Sequence, residues 1–162
     1  MEDNTGNNKK TNRYLENLGF IDPGTLPINA QGYRSCRYCK GSVKPPRRTF
    51  CSKDCVHEYR LRSDGQYLRE CVYERDQGIC AICAIDTKMI ATMILSSDRE
   101  SIDVLLKQYN INDTRKITPK KNGGGLWDAD HILAVKNGGG ECGLENLRTL
   151  CISCHKIITF SK

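Results

Sequence analysis

A chain of 162 residues has room for one ordinary domain, or for a compact domain with a small satellite, and excludes two large cores. With 38% hydrophobic residues, one Trp and three Phe, apolar burial alone holds such a fold weakly, so covalent or metal staples are expected. The formal charge of +6 is a weak argument for a polyanionic partner, because it counts ten cysteines as neutral, and two four-thiolate zinc sites would lower it by about four charges.

Residues 1–33 are rich in Asn, Gly, Lys and Pro without a sustained period and read as a mobile tail or linker. The polar start (MEDNTGNNKKTNRY) has no signal-peptide core, and no segment is long and apolar enough to span a bilayer. The expectation is an intracellular setting, cytoplasmic or nuclear, with no membrane partner. There disulfides are disfavoured and paired cysteines read as metal ligands.

Residues 34–78 are expected to form an upstream module. Cys36-Arg-Tyr-Cys39 makes a knuckle, and Pro45 and Pro46 keep the following loop out of regular helix. Cys51-Ser-Lys-Asp-Cys55 then turns helical with Ser52 as N-cap. A second helix is predicted from Ser63, with Ser63 and Gln66 as a capping box, Leu68, Cys71 and Val72 on one face, and Gly78 as its stop.

Residues 79–162 open with Cys80-Ala-Ile-Cys83. An insertion at about 88–125 follows, helical over 88–95 and 102–109 and ending in the basic, Gly-terminated loop DTRKITPKKNGGG; it is read as a docked arm of the same domain. Trp127 to Val135 has strand character, KNGGGECGLEN is a turn, and Leu147 to Leu150 can return as the second strand. A short helix carrying Cys151, Cys154 and His155 closes the chain.

Cys80 and Cys83, with Cys151 and Cys154, have the spacing of a knuckle and a helix turn that close one tetrahedral thiolate site. Cys36, Cys39, Cys51 and Cys55 form a second quartet, so two structural Zn2+ are expected. Cys71 and Cys142 read as packed thiols, and His57 as an ordinary helical histidine.

Structural zinc sites are closed, so chemistry needs a second, open metal position. Asp130 offers a hard oxygen and His155 an imidazole, a pair suited to one catalytic divalent cation, Mg2+ or Mn2+. His131 is then free to take a proton from water.

Trp127-Asp-Ala-Asp130-His131-Ile, Gly138-Gly-Gly, Asn146-Leu and Cys151-Ile-Ser-Cys154-His155 together resemble the HNH endonuclease family. The resemblance implies a small zinc-stabilised α+β fold: a ββα-metal core of treble-clef type, with the upstream zinc knuckle and helices attached. It implies His131 as general base, Asp130 and His155 as ligands of the catalytic ion, and Asn146 as the residue that fixes the loop and orients the base. Phe50-Cys-Ser-Lys-Asp-Cys55, Glu58-Tyr, Leu61-Arg-Ser and Tyr67-Leu-Arg are similar to one subgroup, which includes stand-alone microbial and viral proteins and a domain appended to an animal annealing helicase. Two features depart from the family pattern: Ala84 follows the knuckle where glycine sits more easily at positive φ, and the insertion lies outside the core motif.

The function expected is metal-dependent hydrolysis of DNA phosphodiester bonds; the alternative is a zinc-scaffolded nucleic-acid-binding or interaction module without catalysis. Arg37, Lys40, Lys44, Arg47 and Arg48 in the upstream loop, and Arg115, Lys116, Lys120 and Lys121 in the insertion, are candidates for phosphate contact. Lys156, beside His155, is the best placed of the single residues. One ββα-metal site cuts one strand, so a double-strand break takes a homodimer, a larger nucleic-acid-processing assembly or sequential nicks.

Overall fold

The computed structural model describes residues 21–111 and 125–160, which divide into two compact units, the first ending at Tyr59 and the second beginning at Arg60. Among the described residues there are two two-stranded antiparallel sheets and five α-helices. The fold is a small α+β one, as the sequence predicts. No helix among the described residues is long and apolar enough to cross a membrane.

In the first unit β1 (Arg34–Ser35) pairs with β2 (Ser42–Val43), and α1 (Lys53–Ser63) starts here and runs across the boundary. Ser52 caps α1 as expected: its hydroxyl accepts from the Cys55 N–H at 3.0 Å. The buried centre is Cys36, Val43 and Cys55, flanked by Phe50 and Cys51. Three of those five residues are thiols, so the centre of this unit is its cysteine cluster and little else.

In the second unit α2 (Gly65–Asp76) packs on the hairpin of β3 (Trp127–His131) and β4 (Leu147–Cys151), and α5 (Ile152–Phe160) follows β4 directly. The α2 cap is Asp64 and not Ser63, which is the last residue of α1; the Asp64 carboxylate accepts from the Gln66 and Tyr67 N–H groups, two orphan donors that a serine hydroxyl would serve less well. α2 ends with Gln77 and Gly78 both at positive φ. Val72, Tyr73, Trp127 and Leu147 form the core between helix and hairpin, with the Tyr73 and Trp127 rings stacked at 6.0 Å.

The end of α2 is also bonded to the hairpin. Arg75 donates to the carbonyls of Leu144 and Leu147, and Asp76 Oδ2 accepts from both the amide and the hydroxyl of Thr149. The Arg75 guanidinium first, and the Thr149 donors after it, hold the Asp76 carboxyl below its usual range against the opposing pull of burial. Asp76→Ala leaves two donors on a buried strand residue unserved, and is expected to lower stability by about 1–3 kcal/mol at neutral pH in denaturant unfolding. Because the folded pKa lies below the unfolded one, the charge-dependent share is complete above the ordinary carboxyl value of 3.8 and is lost as pH falls through the folded pKa. A variant difference that stays constant on acidification would contradict this account.

The insertion begins with α3 (Thr87–Ser96) and α4 (Arg99–Gln108), as predicted, capped by Asp86 and Asp98. Ile90, Ala91, Ile94, Ile111 and Leu126 make a core of their own, against which Ile152 of α5 packs. The Ile152 N–H donates to the Leu126 carbonyl and the Ser153 hydroxyl to the Tyr109 carbonyl, so the arm is docked on the start of α5.

Candidate metal centres and active site

Each cysteine quartet is assembled as the spacing predicts. The sulfurs of Cys36, Cys39, Cys51 and Cys55 all lie within 4.8 Å of one another, as do those of Cys80, Cys83, Cys151 and Cys154, so each group could hold a metal ion. Cys39 and Cys51 are 3.4 Å apart, Cys51 and Cys55 3.4 Å, and Cys83 and Cys151 3.7 Å. Four thiolates about 2.3 Å from one zinc stand about 3.8 Å from each other, so the donor sets fit that ion with small adjustment. His57, on α1, is outside the first quartet.

The local backbone explains this geometry. After α2 the chain turns at Gln77 and Gly78 into the knuckle, where Cys80 N–H donates to the Ile85 carbonyl and Ala84 N–H to the Cys80 carbonyl. Ala84 takes φ 57, the left-handed conformation its position predicts. Cys151 is the last residue of β4, and Cys154 follows in the first turn of α5, with its N–H on the Cys151 sulfur at 3.4 Å.

The thiols carry uneven electrostatics. Burial opposes ionisation of Cys36, but N–H groups of Cys51, Cys39 and Tyr38 aimed at its sulfur bring it down to about 6. Cys51, crowded first by the Cys39 thiol, is pushed up to about 12. In the second quartet burial again opposes ionisation of Cys80, yet N–H groups of Cys83, Cys151 and Ile82 bring it to about 6, while burial and the neighbouring thiols push Cys154 up. Ionisation is favoured at Cys36 and Cys80 and opposed at Cys51 by the neighbouring thiols and at Cys151 and Cys154 by burial first, a conflict that a dication at the centre would remove.

On the hairpin, β3 sets Asp128 opposite Leu150 and Asp130 opposite Arg148. Residues two apart on a strand share a face, so both carboxylates point toward the side where α5 carries His155. The imidazole lies between them, with Nδ1 at 3.5 Å from Asp128 Oδ2 and Nε2 at 3.9 Å from Asp130 Oδ1. Two atoms about 2.1 Å from one ion are at most about 4.2 Å apart, so Asp130 and His155 are close enough to share one. The other Asp130 oxygen is taken by Arg148, whose Nε and Nη2 reach it at 3.0 and 2.9 Å.

His131 is the last residue of β3, half-buried and opposite Leu147. Strand character stops here and not at Val135: Ile132 to Ala134 are irregular and Val135–Asn137 is a single 3-10 turn. Asn146 is the reason. Its Oδ1 accepts from the Leu133 N–H at 2.8 Å, and its Nδ2 donates to the carbonyls of Leu133 and Gly139 at 3.1 and 3.0 Å. The side chain thus takes up loop groups that a continuing strand would have paired, and it clamps the loop that leaves His131. The Asn146 side chain thus ties the two ends of this loop together.

The structure therefore brings Asp130 and His155 within 3.9 Å of each other, with His131 adjacent to Asp130 in the chain. Lys156 is exposed on α5. Lys44, Arg47 and Arg48 are exposed in the first unit, while Lys120 and Lys121 lie outside the described residues. Arg37 is part of the fold and not only of a basic loop, since its guanidinium sits 4.3 Å from the Tyr59 ring centre and 5.4 Å from that of Phe50. Cys71 is buried and Cys142 packs against the α2–hairpin core, as expected of packed thiols. Sequence reasoning missed Asp128 and Arg148. The two-residue spacing of Asp128 and Asp130 in a predicted strand was a usable signal for the first; the pairing register that brings Arg148 to Asp130 has no local signature.

The HNH endonuclease family pattern matches residues 117–160, and human "DNA annealing helicase and endonuclease ZRANB3" is 32% identical over 123 residues, 73% of this chain. The chain belongs to the HNH endonuclease family. Its HNH match begins in the insertion and takes in β3 with Asp130 and His131, the single turn before β4 that ends in Asn146, β4 itself, and α5 with His155. The mouse ZRANB3 protein is 29% identical over 143 residues, 80% of this chain. This HNH protein spans only 11% of the human relative's length and 13% of the mouse one's. The crystal structure of the human ZRANB3 HNH domain is 30% identical, with 60% of this chain and 88% of that one covered and a TM-score of 0.49.

Proposed function

We propose that the chain is a DNA endonuclease that hydrolyses phosphodiester bonds with His131 as general base and one divalent cation, Mg2+ or Mn2+, held by Asp130 and His155. The observation that carries this reading is the approach of Asp130 Oδ1 and His155 Nε2 to 3.9 Å on a face where the cysteine cluster fixes both the strand and the helix. The two quartets are assigned structural Zn2+, the ion that four-thiolate sets favour in a reducing, intracellular compartment. DNA as substrate is supported by the relatives' naming as a DNA annealing helicase and endonuclease.

Bound between Asp130 and His155, the cation supplies Lewis-acid stabilisation of charge developing on the phosphate and the leaving oxygen. His131, at the point where the chain leaves β3, takes the proton from the attacking water. Asn146 holds the backbone that follows it, so the imidazole is presented from a fixed loop. Lys156 is assigned to the substrate backbone near the cut, and Lys44, Arg47, Arg48, Lys120 and Lys121 to further phosphate contacts. A single site nicks one strand, and a double-strand break takes two copies acting together or sequential nicks.

One observation favours the alternative of a non-catalytic nucleic-acid-binding module: Arg148 already neutralises Asp130. Plasmid nicking with Mg2+ or Mn2+, run beside His131→Ala, separates the two. The wild-type protein is expected to nick, and His131→Ala to lose about 10²–10⁴-fold of that rate, the usual share of a general base. Equal nicking by both removes His131 from the mechanism, and no nicking by either with zinc in place favours the binding module.

A further inference from the structure

The geometry points to Asp128 as a positioning residue for His155: its carboxylate fixes the imidazole through Nδ1 so that Nε2 is presented toward Asp130. This rests on the reading of Asp130 and His155 as ligands of one ion and gives a role to Asp128, which stands in the quoted motif without one.

A neutral imidazole carries one N–H and one lone pair, and the acceptor beside one nitrogen decides which nitrogen is left to bind. Here the two nitrogens face two different carboxylates. Nδ1 is 3.5 Å from Asp128 Oδ2 and Nε2 is 3.9 Å from Asp130 Oδ1. An N–H on Nδ1 directed at Asp128 leaves the Nε2 lone pair on the side where the ion is shared. Asp128 does not serve as a third ligand in this arrangement. It lies at the opposite edge of the ring, and among the described residues only the two cysteine quartets bring three or more donors within 4.8 Å of one another. At 3.5 Å the contact is electrostatic and not yet a formed hydrogen bond; such contacts commonly tighten when the site is loaded.

Asp128 is itself held in place. Arg69, on α2, donates from Nη1 to Asp128 Oδ1 at 3.2 Å and from Nη2 to the Trp127 carbonyl at 2.9 Å, with its guanidinium 4.3 Å from the Trp127 ring centre. Trp127 is 1% exposed. The orientation of Oδ2 toward His155 is thus referred back, through one arginine, to the best-buried ring among the described residues. A carboxylate behind a metal-binding histidine sets tautomer and basicity, and its loss costs about 10–100-fold in metal affinity.

The test uses the full zinc-loaded chain with Mn2+ alone as probe, its affinity read by electron paramagnetic resonance without DNA, and the His155 ring followed by 15N NMR. Asp128→Ala is expected to weaken Mn2+ binding about 10–100-fold. Asp128→Asn, which keeps an oxygen acceptor, should recover most of it, and Asp130→Ala and His155→Ala should abolish it. The wild-type ring is expected to carry its hydrogen on Nδ1. A wild-type ring protonated on Nε2 overturns the proposal without recourse to any variant. So does unchanged Mn2+ affinity in Asp128→Ala, while the ligand reading survives; so does complete loss there, which would make Asp128 a ligand. If Asp130→Ala and His155→Ala bind Mn2+ like wild type, the ligand reading itself has failed.

Discussion

Extracting the ion from Cys80, Cys83, Cys151 and Cys154 is expected to unfold the second unit outright. The sulfurs form a cluster of their own, which ties the knuckle to β4 and α5 beside the two small apolar cores of the unit. Cys80 and Cys151 are core members with Leu150, and Cys154 and Ile158 pack against them. A structural zinc site contributes about 10–16 kcal/mol of apparent binding energy, as much as the whole net stability of about 5–15 kcal/mol that a domain possesses. Chelation, or Cys151→Ser, should therefore abolish the cooperative thermal transition and the far-ultraviolet helical signal of this unit. Cys36→Ser should act on the first unit, whose buried centre is likewise built of thiols. Metal analysis must accompany the melt. A sample shown to be free of zinc whose transition is unmoved would refute the assignment of these sites as structural.

The second large effect is expected at Gly139. A Cβ there would stand 1.8 Å from the Leu133 carbonyl oxygen and 2.9 Å from Asn146 Nδ2, where real contacts are never closer than 3.0 Å. The first obstacle is backbone, so the loop has to move. Gly139→Ala is predicted to cost about 1–3 kcal/mol, the usual range for overpacking, and to displace the loop that follows His131. An ångström of misplacement of a reacting group costs about 10²-fold in rate, so nicking should fall by about that factor with zinc content unchanged. Asn146→Ala breaks the same clamp from the other side by removing three hydrogen bonds. Because both act on one loop, their stability effects should fall short of adding in a double-mutant cycle. Additivity within about 0.5 kcal/mol would mean that the loop is held by something else.

The cysteine spacing, the two insertion helices and the closing strand–strand–helix order were legible in the sequence because each is a local pattern: a fixed ligand interval, a helical period or an alternation. The Ser63 cap failed for a local reason also, since a capping box can be written one residue early when Asp follows Ser. The strand end at His131 could not be read, because Ile132 to Val135 is apolar in the way a strand is, and only the Asn146 side chain, arriving from residues later in the chain, pulls it out of register. The site was half legible. Asp130 and His155 could be named from residue type and position, but the imidazole's two-sided setting depends on Asp128, Arg69 and Arg148 from three different elements. Such contacts come from register and packing, which leave no mark within a single stretch of chain.

The knuckle and the closing helix, finally, stand far apart in the order of synthesis. Cys83 and Cys151 are 68 positions distant, whereas Cys39 and Cys51 are separated by 12. At a ribosomal speed of about 5–20 residues per second, the upstream staple can close within a few seconds, but Cys80 and Cys83 wait roughly 3–14 s longer for their partners to emerge. Throughout that wait the nascent polypeptide has the basic upstream loop and lacks the completed hairpin. On the function proposed above, the upstream residues assigned to DNA contact are thus made before the groups assigned to cleavage can assemble.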